Sequence, residues 1–114
     1  MAEIPTRSGP TALAATTTTI KTAGAADTWV ILRSILVTNT HTASVKVTVG
    51  VGTTNTDAAA KRLVSQMPLG VGETLEVLAP GFVPLAGGAT PDLLYALCDV
   101  AAGATITLGT VEGP

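Results

Sequence analysis

The sequence predicts an all-β fold: a single antiparallel β-sandwich or jelly roll of about seven to eight short strands, preceded by an extended N-terminal arm. Three observations point there. Threonine and valine, whose branched Cβ suits a pleated surface, are abundant, with four consecutive threonines at residues 16–19. Residues 44–51 alternate, with Val45, Val47, Val49 and Val51 set against Ser44, Lys46, Thr48 and Gly50; this is the two-residue period of a strand with one buried face. Clusters of Gly, Pro, Asn and Asp recur roughly every ten residues, as turns do in a sandwich.

Each element follows in order. The chain has 114 residues, enough for one domain. Residues 1–11 hold two prolines and a glycine without periodicity and read as the extended arm; residues 12–114 read as the β-sandwich domain. Residues 12–22 read as a first strand, because four threonines weigh against a helix. Residues 28–38 form the strongest strand. Trp29, Ile31, Ile35 and Val37 fall on one face, with Val30, Leu32 and Leu36 on the other, so both faces are apolar. Arg33 shares the Trp29 face and needs a partner or a route to water. The polar stretch 39–44 reads as the loop of an antiparallel hairpin leading into strand 44–51. Residues 57–62 suit one helical turn capped by Asp57. Strands are expected over 63–69, with Pro68 marking an edge or end, and over 73–78, with Leu75 and Val77 inward. A short extended segment follows at 82–85. The last two strands are read at 92–100 and at 104–112, the latter with Ile106 and Leu108 inward.

Composition narrows the function. The net charge is −2 and charged residues make up 12 % of the chain, about half the usual ~25 %. No basic patch suggests a nucleic-acid partner. The longest apolar stretch, residues 29–37, is broken by Arg33 and Ser34 and falls well short of the ~18 residues of a membrane span. Met1, Ala2, Glu3, Ile4 and Pro5 lack the basic start and apolar run of a signal peptide. The high mean hydropathy therefore calls for another burial site, and the simplest is a neighbouring subunit.

Chemistry is thinly supplied. The one histidine, His41, sits in a polar loop, and the one cysteine, Cys98, lies in an apolar run that suits a small buried side chain. No nucleophile elbow or metal-ligand spacing is present; Glu73 and Glu76 are three apart, on opposite faces of a strand. The stretch 50–55 begins like a dinucleotide fingerprint but lacks the third glycine. The expectation is a protein without enzymatic activity, cofactor or metal. Trp29 and Tyr95 are the aromatics a sugar platform would use, and their apolar strands suit a core or interface better.

The candidate contacts are Ile4, Pro5, Arg7 and Pro10 on the arm, and Trp29, Arg33, Phe82 and Tyr95 on the body, with Trp29, Phe82 and Tyr95 as the expected anchors because aromatics dominate interface energetics. The arm is expected to lie across a neighbour and to pair with it by strand addition.

The strand Trp29-Val30-Ile31-Leu32-Arg33-Ser34-Ile35-Leu36-Val37-Thr38 ends in Asn39-Thr40, and the Val/Thr alternation of 44–51 follows. Pro68-Leu69, Gly72-Glu73-Thr74-Leu75 and a closing Gly103–Leu108 strand complete a pattern over residues 28–113. In this it resembles small β-sandwich proteins encoded among the structural genes of tailed bacteriophages. It departs from them at 87–92, where that pattern often carries Gly-Asp. The resemblance implies a virion protein assembled in the host bacterial cytoplasm: a capsid decoration or cement subunit, expected as a homotrimer, partnered by itself and by the major capsid protein or other virion proteins. A tail, collar or baseplate component is the alternative within that class. A carbohydrate-binding or adhesin module is the alternative outside it.

Overall fold

A computed structural model describes residues 4–24, 28–54, 62–78 and 81–113. Among these residues there is no helix, and nine strands form two antiparallel sheets. They are β1 Ile4–Ala12, β2 Thr18–Thr22, β3 Trp29–Asn39, β4 Val45–Gly52, β5 Arg62–Leu69, β6 Thr74–Glu76, β7 Val83–Ala86, β8 Leu93–Cys98 and β9 Ala104–Gly113. One sheet runs β1-β9-β3-β6, with β7 also paired to β3; the other runs β2-β8-β4-β5.

This order is a jelly roll. Four sets of pairs nest inside one another: β1 with β9, β2 with β8, β3 with β6 and β7, and β4 with β5. The chain behaves as one long antiparallel hairpin rolled up, and the pairs β3–β9 and β4–β8 close the roll.

The two inner faces make the core. Val45, Val47 and Val49 of β4 face inward with Leu94, Ala96 and Cys98 of β8, and meet Ala104, Ile106 and Leu108 of β9; all are buried. The helical turn read at 57–62 lies outside the described residues except for Arg62, which opens β5.

Four expectations change. The arm read over 1–11 is, from Ile4 onward, an edge strand of the protein's own sheet: Ile4 lies opposite Glu112 and Ala12 opposite Thr105. Backbone N–H and C=O groups along this stretch find partners on β9, which the lack of side-chain periodicity concealed. The strand read over 12–22 is instead the end of β1 and all of β2, separated by a crossing between sheets. At that crossing Leu13 N–H donates to Ala104 O, while Ala14 O accepts from Cys98 N.

The strands 28–38 and 44–51 do not form a hairpin. Both edges of β3 are already taken, one by β9 and the other by β6 and β7. The 40–44 loop is therefore a corner that carries the chain from one sheet to the other. Asn39, 2 % exposed, holds this corner. Its Nδ2 donates to Ala43 O and to Leu69 O, each at 3.0 Å, and its Oδ1 accepts from His41 N–H at 2.7 Å.

The fourth change resolves the two apolar faces of β3. The register with β9 shifts between Leu32 and Ser34, a β-bulge centred on Arg33. One extra residue reverses the alternation, so Val30 and Leu32 before the bulge and Ile35 and Val37 after it all reach the core. Arg33 is exposed and has its route to water. Most of the apolar excess in this strand is thus buried within the chain itself.

At one end of the roll Lys21 on β2 and Glu112 on β9 bridge the two sheets at 3.2 Å. Both side chains keep contact with solvent, so the pair contributes at most about 1 kcal/mol.

Candidate interaction surfaces

Antiparallel register places the outward side chains of the first sheet in rows. Pro5, Val111, Ile31 and Pro84 line up across β1, β9, β3 and β7. The adjoining row runs Arg7, Gly109 and Ser34, with the bulged Arg33 beside it. Together these rows frame a shallow groove of about 550 Å³, lined by Pro5, Thr6, Arg7, Arg33, Gly109, Thr110 and Val111. The structure therefore brings together three of the residues singled out in the sequence, Pro5, Arg7 and Arg33. Ile4 begins the same strand, and Pro10 lies further along it, within the register shift between Ser8 and Thr11.

Trp29 is half-buried on the same outer face, with its indole across the backbone of Gly113; a Cβ on that glycine would collide with the ring. Phe82 is 62 % exposed just ahead of β7 and does not line the groove. Tyr95 is no surface contact. It sits in the second sheet opposite Gly50, with its ring packed over that glycine and 0 % of its surface exposed. An aromatic ring laid over a cross-strand glycine shields bare backbone, which explains why both aromatic strand residues face a glycine.

The outer face of the second sheet carries a polar depression of about 290 Å³, lined by Lys46, Thr48, Gln66, Leu97 and Asp99. Much of its polarity is committed to the fold. Lys46 N–H donates to Asp99 Oδ1 at 2.9 Å, and Gln66 N–H donates to Thr48 Oγ1 at 3.0 Å. Gln66 has φ 46°, a left-handed conformation that turns β5 at its bulge.

Among the described residues no group of three or more His, Cys, Asp or Glu is close enough to hold a metal ion. No helix there is long and apolar enough to cross a membrane. His41 and Cys98 are set in different roles: one donates its backbone N–H to the Asn39 corner, the other lies in the core.

Burial pushes the Cys98 thiol above its ordinary value of 9.0, and the Asp99 carboxylate beside it pushes the same way. A raised folded-state value stabilises the fold below the ordinary thiol range and withdraws that support as pH rises through it. The unfolded chain releases the proton first. Urea midpoints should therefore fall on passing from about pH 8 to about pH 10, and fall less in Cys98→Ala. A thiol reagent should label native Cys98 only as fast as the fold opens; immediate labelling would contradict its burial.

Sequence reading missed several surface features. Leu36 is 38 % exposed because the bulge turns it outward, and Val71, 63 % exposed, projects from the turn between β5 and β6. The polar pair Arg33-Ser34 inside an apolar run was the available signal for the bulge. Gly70 and Gly72 flank Val71 and mark a turn, and that was the available signal that it stands apart from the core valines. Comparison with known protein families, characterised proteins and solved structures returned no match.

Proposed function

We propose that the chain is a non-enzymatic structural subunit of a bacteriophage particle, a capsid decoration or cement protein that strengthens the particle through subunit contacts. One observation carries the reading. Large apolar side chains stand exposed on a bonded, rigid sandwich: Leu36, Leu63, Met67, Val71 and Phe82 are each at least 38 % exposed. Apolar surface held out by a stiff scaffold suits burial against another protein. The strand-and-turn resemblance to small phage structural proteins supports the particle as the setting. A jelly roll serves in viral capsid domains and equally in lectins, so the architecture favours neither alone. In this reading the subunit is a homotrimer that meets the major capsid protein or a tail, collar or baseplate protein.

Antibodies raised against the purified chain should label the outside of tailed particles produced by the strain that encodes it, and electron microscopy would place the label on head or tail. Unlabelled particles, with the chain left in the soluble fraction, would refute the proposal.

The glycan-binding reading has one foothold, the polar depression over Leu97, which is large enough for a single sugar ring. The aromatic platform it needs is missing at Tyr95, which is fully buried. A monosaccharide panel that raises the melting temperature would restore it.

A further inference from the structure

We propose that the groove between Arg7 and Arg33 receives the turn 70–73 of a second copy of this chain, seating Val71 between its apolar walls and the Glu73 carboxylate against its two guanidinium groups. This deepens the structural-subunit reading and rests on it.

The groove asks for an anion with apolar surface attached. Arg7 and Arg33 are both exposed, and neither guanidinium has a hydrogen bond or ion pair among the described residues. The bulge in β3 pushes Arg33 outward, and the register of β1 sets Arg7 across from Gly109. A Cβ on Gly109 would come within 2.6 Å of Ser34 Oγ, so glycine keeps the floor open. Pro5 and Val111 form the apolar flank.

The chain carries one matching element. Most described carboxylates are engaged away from exposed apolar surface. Glu112 pairs with Lys21, and Glu76 accepts the Ile35 and Leu78 N–H groups. Asp92 accepts Ala86 N–H, and Asp99 accepts Lys46 N–H. Glu73 alone of these is exposed and lies two residues from a large exposed apolar side chain, Val71. Its turn is rigid. Glu73 N–H donates to Gly70 O at 3.1 Å, Gly70 N–H donates to Glu73 Oε1, and Glu73 O accepts from Asn39 N–H. Gly72 takes φ +76° at an apex with open space around it. Little ordering entropy is then lost on docking, and the second carboxylate oxygen is free to meet arginine.

Groove and turn are different surfaces. The groove spans β1, β9 and β3, whereas the turn leads into β6 at the opposite edge of the sheet. Such a contact is head-to-tail, and it closes into a ring when the rotation permits.

Light scattering coupled to size exclusion on the full chain tests this. The wild-type chain should form a closed oligomer. Arg33→Glu and Glu73→Arg should each weaken association at least tenfold, and the two changes together should restore it, because the exchanged charges again oppose each other. Glu73→Gln keeps an acceptor for Gly70 N–H while removing the charge, so it should weaken association and leave the melting temperature unchanged at dilutions where both chains are monomeric. An oligomer indifferent to all of these variants overturns the contact but leaves the subunit reading intact. A wild-type chain that stays monomeric at hundreds of micromolar overturns the contact too, while particle labelling decides the subunit reading separately.

Discussion

Asn39→Ala should destabilise the fold by about 2–4 kcal/mol, because one side chain holds the corner between the two sheets. Its three hydrogen bonds tie β3, the corner and the end of β5. The bond to Leu69 O is buried, and it adds to the ladder position that Leu69 holds opposite Val45. Each such hydrogen bond contributes about 0.5–1.5 kcal/mol net, and the truncation removes all three at once. Against a total stability of about 5–15 kcal/mol for a domain of this kind, the loss is large. Asn39→Asp should do no better. It keeps the acceptor for His41 N–H but, when ionised, has no donor for the two carbonyls. Urea unfolding measures both variants, and a loss below about 1 kcal/mol in Asn39→Ala would mean that the corner is held by something else.

Gly50→Ala is the second large effect. The added methyl would fall inside the Tyr95 ring, which is fully buried and has nowhere to go. Overpacking of this kind costs about 1–3 kcal/mol, and occasionally more. Gly113→Ala meets a similar collision with Trp29, but Trp29 is half-exposed at the end of its strand and can swing away. Its cost should stay below about 1 kcal/mol. The comparison isolates confinement of the ring from the collision itself. Equal costs at the two positions would show that burial of the ring is not what matters. A Gly50→Ala, Tyr95→Ala double variant should cost less than the sum of its singles, since the deleted ring vacates the space the methyl needs.

The predictable part of the fold was what a two-residue period can carry. Val45, Val47 and Val49, and likewise Ile106 and Leu108, announce their strands and their inward face directly. Pro68 announces an edge, and β5 is one. Partner choice was not legible, because alternation says which way a side chain points and nothing about which strand lies alongside. The 39–44 loop is short and polar whether it closes a hairpin or turns a corner; what decides is that β9, β6 and β7 occupy both edges of β3, and those residues lie far along the chain. Residues 4–12 failed for the converse reason. Their pairing with β9 runs through backbone groups that every sequence possesses. Of the surface residues, Pro5, Arg7 and Arg33 were named for unrelated reasons, the first two as an arm and the third as a misfit in an apolar strand. Only the bulge joins them in one groove.

The nesting of the strands also has a consequence for synthesis. Ile4 pairs with Glu112, so β1, the earliest made of the nine described strands, waits for β9, the latest. Until β9 is released, β1 has no neighbour, and β3 lacks the partner along most of one edge. The inner pair β4–β5 closes early and locally, whereas the outer pairs demand long loops to be shut at an entropic cost. The fold should therefore not close before β9 has emerged, with apolar strand edges exposed for the interval, and its yield in cells should respond to holding chaperones and to growth temperature more steeply than its equilibrium stability does.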